Sequence, residues 1–148
     1  MNEIKITGLN PKFADSISAL LTEAKARELS VAMHMGLRTP EQQDALYAKG
    51  RTIPGSIVTN AKGYESWHCL GLAADIVFKD EHGNWTWSDK CDWDALGQVG
   101  KIFGLSWGGD WSRFPDLPHF QMTGKIPSIK EAKRLLFEKG IDAVWALV

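Results

Sequence analysis

The stretch Ser66-Trp67-His68-Cys69-Leu70-Gly71-Leu72-Ala73-Ala74-Asp75 sets an imidazole and a carboxylate at either end of a run of small and apolar residues. Further along, Asp116-Leu117-Pro118-His119-Phe120-Gln121 adds a second carboxylate and a second imidazole, in a chain with only 4 histidines. A catalytic zinc takes three protein ligands from His, Asp, Glu and Cys and keeps a fourth position for water. His68, Asp75 and His119 supply such a set for one ion. The chemistry implied is hydrolysis, because an ion held this way lowers the pKa of bound water from about 15.7 to about 7 and polarises a carbonyl oxygen. A base must then take the proton of the water. Asp116 precedes His119 closely, and Pro118 stiffens the link, so its carboxylate can approach the water without coordinating the ion.

Each of these residues has a plainer reading. An aspartate ahead of a proline is most often a turn residue, and Asp116 outweighs that reading only because the other site residues share its two stretches. Asp110 competes as the base, but it follows Gly108-Gly109 and a turn explains it. Cys69 adjoins His68 and is a rival ligand, although free cysteine is usually a small buried residue. His34 reads as a core or edge residue and His82, among polar turn residues, as surface. Arg38 stands just before a helix N-terminus, an end that attracts anions. It reads equally as a guanidinium aimed at a carboxylate or oxyanion and as a solvated arginine.

The elements around these residues must bring them together. Ligand atoms lie roughly 2.0 to 2.2 Å from zinc, whereas an extended strand would set His68 and Asp75 roughly 23 Å apart. The chain between them must therefore turn back, and Gly71 can take the backbone angles required. Asn10-Pro11 predicts a helix start, with Phe13, Ile17, Leu20, Leu21 and Ala24 at helical spacing and an end near Leu29. Ser30 to Met35 suits a strand. Thr39, Pro40 and Gln42 form a capping box for a helix that stops at Gly50. Residues 51–65 read as a long loop that can wall a substrate groove.

Leu72 to Phe78 suits a central strand, turning through residues 80–84 into a hairpin partner at Trp85-Thr86-Trp87. Asp92 to Phe103 predicts a helix with Leu96, Val99, Ile102 and Phe103 on its apolar side. Leu105 to Trp107 reads as a short strand. His119 to Met122 reads as a closing strand with His119 and Gln121 on one face and Phe120 and Met122 toward the core. Ser128 and Glu131 cap a helix ending at Gly140, and the apolar tail 143–148 is expected to pack on the domain.

With 148 residues, 44% hydrophobic and 24% charged, the chain suits one globular domain. A net charge of -1 gives no footprint for nucleic acid or an anionic membrane surface. Two cysteines make no disulfide framework. Met1 to Asn10 lacks the pattern of a secretory signal and no segment is apolar enough to span a bilayer, so the expectation is a cytoplasmic protein without stable membrane association.

The pattern Ser66-x-His68-x-x-Gly71-x-Ala73-x-Asp75, then Asp116-x-x-His119-Phe120, with Arg38 and Gln42 or Gln43 upstream, resembles zinc peptidases of the D-alanyl-D-alanine carboxypeptidase type. Trp107-Gly108-Gly109-Asp110-Trp111 is similar to their L-alanyl-D-glutamate endopeptidase branch, found among bacteriophage endolysins. The resemblance covers about residues 10–125. It implies an α+β fold, with an antiparallel sheet carrying the zinc site and helices packed on it, as in hedgehog-type relatives. It implies zinc on His68, Asp75 and His119, catalysis by Asp116 and transition-state stabilisation by Arg38. Ser66, Gln43, Gln121 and Trp107 would serve as substrate or supporting residues. Many members have glutamate where this chain has Gln121.

The substrate implied is the stem peptide of bacterial peptidoglycan, cut between L-alanine and D-glutamate; the enzyme itself is expected to be a monomer. Such an endolysin waits in the host cytoplasm until the membrane is permeabilised. A carboxypeptidase acting on D-alanyl-D-alanine is the alternative within the class, and a zinc-stabilised wall-binding module without catalysis the alternative outside it. Residues 1–148 are expected to form one peptidase domain, with 126–148 as a helical extension packed on it.

Overall fold

The computed structural model describes residues 6–148. Residues 1–5, part of the Met1 to Asn10 stretch read for a leader, lie outside the described residues. Helix α1 spans Pro11–Ala26, started by the Asn10 side chain accepting from the Phe13 N–H at 3.0 Å. Phe13, Ile17, Leu20 and Ala24 are its buried stripe. It stops short of the expected end near Leu29, because Glu28 adopts a left-handed backbone with φ 62°. Strand β1 (Val31–Met35) follows, then α2 (Pro40–Ala48), whose Thr39–Gln42 capping box is present in both directions.

After the 51–65 loop, Trp67–Leu70 forms a single 3₁₀ turn that the sequence did not announce. Gly71 ends it in the left-handed region, φ 70°, where a Cβ would stand 2.7 Å from the Gly8 carbonyl oxygen. This is the reversal that the His68–Asp75 spacing demanded. Strand β2 (Ala73–Lys79) leaves the turn, pairs with β3 (Trp85–Thr86), and is followed by α3 (Trp93–Ile102). Strand β4 (Ser106–Trp107) runs into a second 3₁₀ turn at Gly108–Asp110, and β5 (His119–Gln121) closes the sheet.

Among the described residues, the five strands are ordered β1-β2-β5-β4 with β3 also on β2, and every strand pairing is antiparallel. The α+β architecture is therefore the expected one. Ala74, Ile76, Phe78 and Phe120 face the core, where they meet Phe13, Ile17, Leu20, Leu96 and Val99 of the two helices. Ile102, expected on the apolar side of α3, is instead 59% exposed. Steps of three residues fall about 60° short of a full turn, so from Leu96 through Val99 the series has drifted off the core stripe by Ile102.

Helices α4 (Ile129–Lys139) and α5 (Ile141–Trp145) complete the chain. The apolar tail is thus partly a short helix. Ile126, Ala132 and Val144 bury a second cluster with Leu70 and Leu72, and the Trp145 indole N–H donates to the Leu70 carbonyl at 2.8 Å. The C-terminal helices thereby brace the turn that carries His68. Trp145→Phe keeps most of the ring and removes that bond, so urea denaturation should show a loss of about 1 kcal/mol.

Candidate metal centre and active-site cleft

Asp75 and His119 are directly opposite each other in the β2–β5 ladder, and residues opposite in an antiparallel pair point to the same face. His68 reaches that face from the 3₁₀ turn. The His68 Nε2 lies 3.4 Å and the His119 Nδ1 3.7 Å from Asp75 Oδ1. Ligand atoms of the three residues all fall within 4.8 Å of one another. For tetrahedral zinc, neighbouring ligand atoms stand roughly 3.4 Å apart given the usual bond lengths. Asp75 Oδ1 is buried and has no hydrogen-bond partner, an arrangement that a cation satisfies.

Backbone and side-chain acceptors set the histidine tautomers. His68 Nδ1 lies 3.0 Å from the Gly36 carbonyl oxygen, so its N–H points there and the Nε2 lone pair faces Asp75. His119 Nε2 lies 2.7 Å from Gln121 Oε1, which leaves Nδ1 for the centre. Each imidazole thus donates one nitrogen to a support and offers the other. Burial alone would push the Asp75 carboxyl up, but the His119 and His68 imidazoles beside it hold it well below the usual carboxylate range. Burial opposes a charged His119, yet the Asp75 carboxylate beside it raises its pKa.

Asp116 Oδ2 is 3.8 Å from His119 Nδ1, and the carboxyl remains 48% exposed. Burial raises its pKa, and the nearby Asp75 carboxylate raises it further. Its backbone N–H donates to the Gly108 carbonyl at 2.9 Å, and a Cβ on Gly108 would collide with the Asp116 carbonyl oxygen. The Asp116 carbonyl in turn accepts from the His119 N–H at 3.2 Å. Asp110 is held elsewhere, 2.7 Å from Lys101 Nζ.

Arg38 is largely buried, with Nη2 3.9 Å from Asp75 Oδ2 and Nη1 donating to Gln43 Oε1 at 2.7 Å. It is therefore not the solvated arginine of the alternative reading. Gln43, fully buried, also donates to the Ala61 carbonyl at 2.7 Å and so ties α2, Arg38 and the 51–65 loop together. Ser66 Oγ accepts from the His68 N–H at 3.3 Å. Trp107 stands behind the site: its indole N–H donates to the Leu117 carbonyl at 2.7 Å and steadies the approach to His119. Cys69 is buried with its thiol toward the Thr39 carbonyl, 3.9 Å away, and is not in the metal-binding group. His82 is on the surface. The sequence pointed to neither the Gly36 carbonyl nor the place of His34, which lines the cleft.

These side chains open into a cleft of about 780 Å³, walled on one side by Val58, Thr59, Ala61 and Glu65 of the long loop. Residues 59–122 match the D-alanyl-D-alanine carboxypeptidase family. The chain is 38% identical over 122 residues to the peptidoglycan L-alanyl-D-glutamate endopeptidase CwlK of Bacillus subtilis (strain 168), covering 77% of this chain and 73% of that one. The chain belongs to this peptidase family. Another relative, the L-alanyl-D-glutamate peptidase of Listeria phage A118, is 31% identical over 126 residues, or 77% of this chain and 39% of its own length. The fold is also that of the L-Ala D-Glu endopeptidase ChiX of Serratia marcescens, with a TM-score of 0.58, 24% identity and coverage of 82% and 86% of the two chains.

In this chain, the Gln121 amide is the support that orients His119. Gln121→Leu should weaken zinc binding roughly 10- to 100-fold in chelator competition, the usual effect of losing such a support. His68→Ala should lose stoichiometric zinc by elemental analysis, and full occupancy would refute the ligand set.

Proposed function

We propose that this chain is a zinc-dependent peptidoglycan hydrolase that cuts the stem peptide between L-alanine and D-glutamate. The observation that carries the reading is the convergence of two imidazole lone pairs on one buried carboxylate oxygen without a hydrogen-bond partner, inside an open cleft that also holds Asp116 and Arg38. The choice of bond draws support from the relatives, whose names specify L-alanyl-D-glutamate cleavage. His68, Asp75 and His119 would hold the zinc, which when bound supplies an acidified water and a polarised scissile carbonyl.

Asp116 takes the proton from the attacking water and returns it to the leaving amine nitrogen. Its half-exposed carboxyl beside His119 suits a group that must meet both water and substrate. Arg38 stabilises negative charge as it develops on the carbonyl oxygen, with Gln43 fixing the guanidinium in place. A wall-binding module without catalysis would need neither residue, and a closed structural site would have a fourth protein ligand, which is not found here among the described residues.

The proposal extends to the setting: one peptidase domain over residues 1–148, with 126–148 as its helical extension, monomeric and acting on the cell wall in a bacteriophage lytic programme from the host cytoplasm. The phage relative supports that setting. Among the described residues, no helix is long and apolar enough to cross a membrane.

Digestion of defined muropeptides, followed by mass analysis of the new termini, tests the activity. Cleavage should generate a new D-glutamyl N-terminus and stop on chelation, whereas release of free D-alanine would indicate a carboxypeptidase. Asp116→Ala should keep its zinc and lose roughly 10²- to 10⁴-fold in rate. Unchanged turnover would remove Asp116 from the mechanism.

A further inference from the structure

Besides the ligand centre, the cleft is lined by His34, Val77 and Trp87, which take no part in the proposed hydrolysis. The β1–β2 register shifts between Met33 and Met35, so His34 occupies an irregularity of the kind that re-aims side chains beside active sites. Its ring meets Trp85 edge-on with centroids 4.9 Å apart, and Trp87 with centroids 5.3 Å apart and planes at 84°. Lys79 Nζ lies 3.8 Å from the centroid of the Trp85 ring. Trp87 remains open. It is 54% exposed and lines the same cleft as Asp75, His119, His34 and Val77.

A large aromatic ring steadied by a T-shaped contact and still half exposed in the cleft costs little entropy on binding. Its negative π face complements the flat, C–H-rich face of a pyranose ring, where the hydrogens carry partial positive charge. We propose that Trp87, held by His34, is a platform for the N-acetylmuramic acid ring that carries the stem peptide. The inference rests on the proposed function. In peptidoglycan the peptide begins at L-alanine, joined through a lactyl group to that sugar, so a cut at the first peptide bond leaves the ring about two residue lengths, roughly 7 Å, from the scissile carbonyl. A sugar-binding surface must then share the cleft of the metal ligands, which Trp87 lines. Cleavage at the distal end of the peptide would place the sugar several residues away.

The test compares two substrates, a disaccharide tetrapeptide and the same peptide capped only by a lactyl group, with wild type, Trp87→Ala and Trp87→Phe. Trp87→Ala should raise KM about 10-fold on the sugar-bearing substrate, the size of one good aromatic contact. Its kcat on that substrate, and both constants on the lactyl peptide, should be unchanged, and Trp87→Phe should recover most of the loss. Calorimetric titration of the disaccharide tetrapeptide into the slow Asp116→Ala variant should show the same weakening when Trp87→Ala is added. Equal losses on both substrates, or none on either, would overturn the platform while leaving the peptidase reading intact. Failure of wild type to cleave either substrate would overturn that reading and the platform with it.

Discussion

A single carboxylate oxygen organises the molecule. Asp75 Oδ1 is buried, lacks a hydrogen-bond partner and faces two imidazole nitrogens at 3.4 and 3.7 Å. Burying such a charge is costly unless something positive meets it. Around it the chain has spent its supports on orientation: the Gly36 carbonyl turns His68 and the Gln121 amide turns His119. Neither support touches the centre, yet each decides which lone pair reaches it.

The parts that need least freedom are built on the most regular elements. Asp75 and His119 come from paired strands, where register alone brings them opposite each other. His68 comes from a 3₁₀ turn pinned by the Ser66 cap, by the Arg38 N–H bonded to the His68 carbonyl at 3.1 Å, and by the C-terminal helices through Trp145. The groups proposed to meet substrate lie on connections: Arg38 between β1 and α2, Asp116 between β4 and β5, and the cleft wall on the 51–65 loop. This is the usual division between a rigid scaffold and the loops it positions.

Much of this was legible in the chain. Asn10, Thr39 and Ser128 cap helices because their side chains replace missing backbone acceptors locally, and such signals survive without tertiary context. The alternation of His119, Phe120 and Gln121 correctly sent one residue to the core and the others to the cleft. Other features were illegible for physical reasons. Ile102 looks apolar at helical spacing, but angular drift carries it into solvent. His34 reads as an ordinary strand residue until a register shift turns it toward Trp85 and Trp87.

The sequence by itself determined which chemistry was available, since two of the 4 histidines stand near an acid in turn-like settings and the chain between His68 and Asp75 had to turn back, with Gly71 well placed to let it. Tertiary structure decided which atom of each residue does the work. Nitrogen choice in His68, the Gln43 grip on Arg38 and the placing of Trp107 behind the site depend on partners from other segments, some of them backbone carbonyls. A carbonyl is present at every residue, so nothing in a sequence marks the one that folding brings within hydrogen-bond reach.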